Sequence, residues 1–460
     1  MGFAKDFVWG AATASYQIEG GAQEGGKGKS IWDVFSHEPG RVYEGHTGDV
    51  ACDSYHRYKE DIAIMKELGI KAYRLSFSWP RILPEGTGKV NQEGLAYYDH
   101  VIDALLEAGI EPYVTLFHWD LPYELEKRGA WKNPSIVSAF ADYAALVSEH
   151  FSDRVRNFFT INEPQCAAGL GYVTGEFAPG IKEGTASFFI SWTNMLKAHG
   201  YAVRTIREHV VQPVRIGMAP CGGVYYPVTD KEEDVEAARK AMFTPSGRDL
   251  REDLWNVAVW NDPVYLGRFP EEIEQSYGQY LPLLSPEDWE VITSKLDYIG
   301  YNIYNGVPVR AGEDRSAVRV KRPEGHPRTA NNWPVTPEAL YWGPKFLCER
   351  YGLPLYITEN GMSCTDWISL DGRVHDPQRI DFLQRYLLEL RRAAQSGVPV
   401  KGYFQWSLLD NYEWASGYSE RFGLVYVDYK TQKRTIKDSG YWYRDVIATN
   451  GEKLLVPSQK

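Results

Sequence analysis

The chain has 460 residues, of which 43 % are hydrophobic and 24 % charged. That composition is ordinary for a globular protein with a large core. The formal net charge of −11 argues against a nucleic-acid polyanion as the main partner. The N-terminus, Met1-Gly2-Phe3-Ala4-Lys5-Asp6-Phe7, has no basic stretch followed by a long apolar one. No apolar run approaches a membrane span, so a cytoplasmic protein with no membrane partner is expected. The 15 Trp, 31 Tyr and 18 Phe suit a large core and equally suit flat, apolar ligand faces such as sugar rings. Five cysteines (Cys52, Cys166, Cys221, Cys348, Cys364) are scattered and form no C-x-x-C pair, so neither a disulfide framework nor a zinc site is expected.

Along the chain, short apolar strands alternate with helical stretches. Strands are expected at 7–12, 72–77, 112–117, 157–161, 215–219, 297–301, 355–358 and 402–406. Clear amphipathic helices fall at 58–68, 94–108, 135–151 and 381–395. The first, second and last of these stop at Gly69, Gly109 and Gly397. Eight such units point to an α/β fold, a (β/α)8 TIM barrel in one domain spanning 1–460, with long βα loops forming the rim. The extra length falls at 221–295 and 302–353. Two doubly wound domains are disfavoured, because no linker and no Gly-rich dinucleotide fingerprint is present. Gly25-Gly26-Lys27-Gly28-Lys29-Ser30 ends like a phosphate loop, but position 23, where the first glycine is required, is Gln23. The basic segment from Arg310 to Arg322 is expected to be a solvated loop or hairpin.

In such a barrel the chemistry gathers at the C-terminal ends of the strands. Those ends carry Gln17 after the first strand, Arg74 on the second, and His118-Trp119-Asp120 on the third. Asn162-Glu163-Pro164 ends the fourth, Asn302 and Tyr304 follow the sixth, and Glu359-Asn360-Gly361 closes the seventh. Trp406 ends the eighth, with Glu413-Trp414 just downstream. Glu163 stands out because it ends an apolar run, and a buried carboxylate is costly unless it is paired or used. Glu163 and Glu359 would face each other across the barrel. Facing carboxylates serve proton transfer with nucleophilic attack, metal binding or a shared proton. A metal would need more hard or imidazole ligands than His118 and Asp120. Trp119, Trp406 and Trp414 suggest a stacking surface instead, and paired carboxylates with tryptophans and amides fit glycoside hydrolysis. A metal-dependent sugar isomerase and a non-catalytic sugar-binding barrel are the rival readings.

From Phe7-Val8-Trp9-Gly10 to the region of Trp442, the chain resembles glycoside hydrolase family 1, the retaining β-glucosidases. Thr160-Ile161-Asn162-Glu163-Pro164 and Ile357-Thr358-Glu359-Asn360-Gly361 carry the resemblance. It implies Glu163 as acid/base and Glu359 as nucleophile. Arg74 and Tyr304 would orient and ionise the nucleophile. Gln17, His118, Asn162, Glu413 and Trp414 would hold the hydroxyls of the non-reducing sugar over a floor made by Trp406, with Trp119 beside them. Trp333 would flank the aglycone side or pack a loop. No cofactor and no metal is implied, the partners are small β-glycosides, and a homo-oligomer is compatible with the chain.

The resemblance also implies non-phosphorylated substrates, since Glu413 stands where relatives acting on 6-phosphoglycosides carry a phosphate-binding set. Gln165 follows the Asn-Glu-Pro triplet where many relatives have an aromatic residue. Arg74 should favour the charged form of Glu359, and the charge of Glu359 should hold the proton on Glu163. A retaining mechanism expects the two carboxyl groups about 5–5.5 Å apart.

Overall fold

The computed structural model describes residues 2–454. All eight expected strands form: β1 (Val8–Ala12), β2 (Ala72–Ser76), β3 (Glu111–Phe117), β4 (Asn157–Asn162), β5 (Arg215–Ala219), β6 (Ile299–Asn302), β7 (Leu355–Asn360) and β8 (Val400–Trp406). They lie parallel in one sheet, in the order β5-β4-β3-β2-β1-β8-β7-β6. The two end strands then meet. The Asp297 N–H donates to the Ile216 carbonyl at 2.9 Å and the Asn302 N–H to the Pro220 carbonyl at 3.0 Å, while the Asp297 carboxylate accepts the Ile216 N–H at 2.7 Å. The sheet is therefore a nearly closed barrel of the expected class.

Alternation along the strands sends one set of side chains inward. Tyr113, Phe159, Tyr298, Tyr356 and Phe404 form an aromatic plug inside the barrel, with Ala12, Ala72 and Ala219 leaving room for it. Ring centroids of Tyr113 and Phe404 lie 5.0 Å apart, and those of Tyr298 and Tyr356 also 5.0 Å. Arg74 points inward above this plug, its guanidinium 5.2 Å from the centre of the Phe159 ring. The plug closes the bottom of the barrel, so polar groups on the strand ends face a single open mouth.

The expected helices form within a few residues of their sequence limits, as Ser54–Glu67, Gln92–Glu107, Ser135–Phe151 and Pro377–Gln395. The last begins early because Pro377 occupies its first turn, where a missing N–H costs nothing. Thr185–His209, the longest helix at 25 residues, packs tightly at Gly200, where a Cβ would lie 2.1 Å from the Val291 carbonyl oxygen. The insertions at 221–295 and 302–353 supply strands Val224–Pro227, Gly306–Ala311 and Ala317–Arg319, which form a small separate sheet. The last two make an antiparallel hairpin, so the basic segment is a hairpin as expected. Ser30, the end of the would-be phosphate loop, instead caps the short helix Ile31–Phe35 in a capping box with Asp33. Lys27 pairs with the same Asp33 at 2.6 Å.

Candidate active site

Both carboxylates are delivered by strand irregularities. Between Phe159 and Asn162, β4 carries one residue more than its partner β5. Between Ile357 and Glu359, β7 likewise carries one more than β6. Such bulges re-aim the side chains that follow them. Glu163 in addition adopts φ 38°, a left-handed conformation that costs a non-glycine residue about 1–3 kcal/mol and persists only where the surroundings impose it. Trp119, just past β3, is also left-handed at φ 74°. Glu163 is 8 % exposed and Glu359 4 %.

Glu359 is held as an anion would be. Arg74 Nη1 donates to Oε1 at 2.7 Å and the Tyr304 hydroxyl donates to Oε2 at 2.7 Å. Burial nevertheless leaves this carboxyl above its ordinary range, with the Arg74 charge and the Tyr304 hydroxyl offsetting the rise only in part. Tyr304 itself stays a phenol, because burial and the charge of Glu359 both raise it far above its ordinary value. Among the described residues, Glu163 has no cation at hydrogen-bond distance. The Asn302 amide donates to its Oε1 at 2.7 Å and the Cys166 thiol to its Oε2 at 3.0 Å. It is pushed up to about 7, first by burial and second by the charge of Glu359. The charge of Glu359 thus acts as the sequence reading expects, and burial, which that reading did not include, adds to it.

A cavity of about 390 Å3 opens above the pair. It is lined by Glu163 and Glu359 together with His118, Trp119, Tyr304, Trp333, Trp406, Glu413 and Trp414. His118 is kept neutral by burial and by Arg74. Its Nε2 accepts from the Asn162 amide at 3.0 Å, which places the proton on Nδ1, and Nδ1 has no partner among the described residues. A buried donor without a partner, on the wall of a cavity, is suited to a ligand hydroxyl. Trp406 stacks against His118 at 6.0 Å, and Trp414 lies 5.9 Å from it and 4.5 Å from Trp119. The Trp119 indole N–H is already used, donating to the Asn162 carbonyl at 3.0 Å. Trp333 is 37 % exposed and packs on Tyr304 at 5.0 Å, so it serves both as cavity rim and as loop packing.

Three expected residues stand behind the cavity wall. Arg74 does so in keeping with an orienting role, and its Nη2 donates to the Asn162 amide oxygen at 2.7 Å. Asn162 has its side chain engaged by Arg74, His118 and Asn302. Gln17 lies against Glu413, its amide donating to the Tyr412 carbonyl at 2.9 Å and to Glu413 at 3.2 Å; its Oε1 has no partner among the described residues. Glu413 is pushed up to about 8 by burial, then by the charges of Glu359, Glu420 and Glu163. In its protonated form the acid offers hydroxyls both a donor and an acceptor.

Sequence reasoning noted Asn302 at the strand end but gave it no role. The Thr358 hydroxyl donates to its Oδ1 at 2.6 Å, which turns the amide nitrogen toward Glu163. Cys221 was also missed. Gln165 is buried and clamps the backbone after β5, its amide donating to the Cys221 carbonyl at 2.6 Å. Asp120, weighed as a metal ligand beside His118, accepts from Ser15 at 2.9 Å and is not among the residues lining the cavity. A second cavity of about 490 Å3, with Tyr225, Lys240, Arg248 and Arg319 on its walls, shares Trp255 with the first but contains neither carboxylate.

Comparison with known proteins agrees with this geometry. The model of the family described as Glycosyl hydrolase family 1 matches residues 1–452. The chain is 48 % identical over 450 residues to beta-glucosidase A of Thermotoga maritima, covering 98 % of each chain. It is 47 % identical over 451 residues to the 1,4-beta-D-glucan glucohydrolase of Thermotoga neapolitana, covering 98 % of this chain and 99 % of the other. A solved structure of the Thermotoga maritima beta-glucosidase in complex with galacto-hydroximolactam superposes with a TM-score of 0.89 at 46 % identity, over 98 % of this chain and 100 % of that one. Two carboxylates at the mouth of a parallel barrel, a full-length family match and near-half identity to named glycosidases lead to one conclusion: the chain belongs to glycosyl hydrolase family 1.

Proposed function

We propose that the chain is a retaining β-glucosidase that releases terminal non-reducing β-D-glucosyl residues, and β-D-galactosyl and fucosyl residues, from small β-glycosides and cello-oligosaccharides. The observation that carries this reading is the asymmetry of the two carboxyls. Glu359 is bonded by a cation and a phenol, whereas the donors to Glu163 among the described residues are neutral. Environments that push two acids apart assign their roles. Glu359 attacks the anomeric carbon while Glu163 protonates the departing oxygen. Esterification removes the charge of Glu359, the second cause of the raised proton affinity of Glu163. Glu163 is then the weaker acid no longer, and it deprotonates the water that releases the sugar.

Around this pair, the unpartnered Nδ1 of His118 and the acid of Glu413 receive hydroxyls over Trp406. Gln17 and Asn162 hold those groups from behind, and Trp119, Trp414 and Trp333 wall the cavity. The 1,4-beta-D-glucan glucohydrolase of Thermotoga neapolitana, a relative at 47 % identity, supports cello-oligosaccharides as substrates, and with them a part in cellulose degradation. The galacto-configured ligand of the Thermotoga maritima enzyme supports the galactosyl activity. No helix among the described residues is long and apolar enough to cross a membrane, in keeping with action in the cytoplasm. The whole chain works as one catalytic domain, without a cofactor, and is compatible with a homo-oligomer.

Two variants test the assignment. Glu359→Gly should abolish hydrolysis of a nitrophenyl β-glucoside, with formate restoring some turnover. Glu163→Ala should be accelerated by azide and give the β-glycosyl azide. An α-azide would contradict retention. Loss of activity in EDTA, restored by a divalent metal, would instead favour the isomerase, and absence of any turnover would favour the binding barrel.

A further inference from the structure

The thiols of Cys166 and Cys221, distant in sequence, meet at the acid/base residue. Cys166 Sγ, Cys221 Sγ and a carboxylate oxygen of Glu163 all lie within 4.8 Å of one another, and the first and last are 3.0 Å apart. We propose that Cys166, Cys221 and Glu163 form an inhibitory site for a thiophilic divalent ion of the Zn2+ or Cd2+ type, which shuts the enzyme by occupying the carboxylate that must carry the catalytic proton.

The donor set fits such an ion. Two sulfurs and one carboxylate oxygen suit zinc-like ions and not Mg2+ or Ca2+, which prefer oxygen. A tetrahedral Zn2+ with bonds of about 2.3 Å to sulfur and 2.0–2.2 Å to oxygen needs its sulfurs about 3.8 Å apart and each sulfur about 3.5–3.7 Å from the oxygen, so the Cys166–Glu163 side, 3.0 Å here, opens slightly while the other two sides already lie within 4.8 Å. All three residues line the cavity, so an ion can enter, and its fourth position is left to water.

Both thiols are mounted on fixed backbone. The Cys166 N–H donates to the Glu163 carbonyl at 2.9 Å. The Cys221 carbonyl accepts from Gln165 at 2.6 Å and from the Tyr301 hydroxyl at 2.8 Å. Gln165 is thus the positioning residue for the second sulfur. Burial keeps both thiols protonated in the metal-free protein. On binding, the ion displaces one proton from each thiol, and from Glu163 where it is protonated, to solvent. Binding of the ion rests only on the triangle of donors, whereas its effect on rate rests on the role proposed for Glu163.

The test uses the full chain, kept reduced, titrated with Cd2+ and separately with Zn2+. Cd2+ is followed by its thiolate charge-transfer absorption, and both ions by nitrophenyl β-glucoside hydrolysis, each variant scaled to its own metal-free rate. The expected result is one Cd2+ per chain with the absorption of two thiolates, loss of activity in step with binding, recovery with EDTA, and no effect of Mg2+. Cys166→Ala and Cys221→Ser should each halve the absorption and raise the half-inhibiting concentration about 10–100-fold or more. Inhibition of unchanged midpoint in the double variant, or no thiolate absorption in the parent, would overturn the site. Should the variants not fold, the parent still decides: bound Cd2+ should shield Cys166 and Cys221 from a maleimide, and shielding of other cysteines instead would refute it. Binding without inhibition would leave the ion site standing and count against Glu163 as acid.

Discussion

Replacing Tyr304 by Phe removes one oxygen atom from the site and keeps the ring that packs on Trp333. The lost hydroxyl is the donor at 2.7 Å to Glu359 Oε2, leaving that lone pair buried beneath the cavity. A hydrogen bond to a charged group is worth about 1.5–3 kcal/mol. At 1.36 kcal/mol per unit the loss corresponds to a rise of about 1–2 units in the proton affinity of Glu359. The sign is set by the roles. Glu359 must be charged, so activity is lost as pH falls through its pKa; Glu163 must be protonated, so activity is lost as pH rises through about 7. The pair titrates as a unit. The variant should therefore show an acid limb of kcat/KM moved upward by about 1–2 units, an alkaline limb nearly in place, and a narrower, lower bell between them. The assay is the pH dependence of kcat/KM on a nitrophenyl β-glucoside for parent and Tyr304→Phe side by side. A uniform loss of rate with the acid limb unmoved would refute the idea that Tyr304 acts by stabilising the charge of Glu359.

Glu163→Ala should lose about 10²–10⁴-fold on substrates with poor leaving groups and far less on dinitrophenyl glycosides, measured as kcat/KM across a leaving-group series. Arg74→Met leaves the buried Glu359 without its cation and should destabilise the fold by about 3–5 kcal/mol, read as a drop in the denaturant midpoint, more at alkaline than at acid pH. Glu413→Gln removes a carboxyl whose folded-state value is raised to about 8. Such a group contributes fully below its unfolded value and penalises folding increasingly as pH rises toward the folded one. The variant should thus gain Tm relative to the parent above pH 8 and little in acid buffer, while KM for glucosides rises. The reverse pH trend in Tm would show that Glu413 is ionised in the free enzyme.

The barrel was legible because each strand is a short apolar run between turn signals, and its burial on both faces demands such runs. Glu163 and Glu359 were legible for the opposite reason, as charges placed where apolar strands end. Asn302 was not assigned a role, since an asparagine at a strand end reads equally as a turn former; its aim at Glu163 comes from the Thr358 hydroxyl on the neighbouring strand. The bulges in β4 and β7 exist only relative to the register of their partners. The protonation of Glu413 depends on burial by distant segments, which residue type does not reveal. Cys166 and Cys221 carry no spacing signal, and they meet where the Gln165 amide bonds the Cys221 carbonyl after β5.

The central claim is that Glu359 forms a bond to the sugar while Glu163 only moves protons. Incubation with a 2-deoxy-2-fluoro β-glucoside bearing an activated leaving group slows release of the sugar and lets the intermediate accumulate, since the fluorine disfavours the oxocarbenium-like transition state. Mass spectrometry of the digested protein should find one fluorosugar per chain, on the peptide containing Glu359 and attached through its carboxylate. A label on Glu163, or inactivation with no covalent sugar at all, would contradict the account.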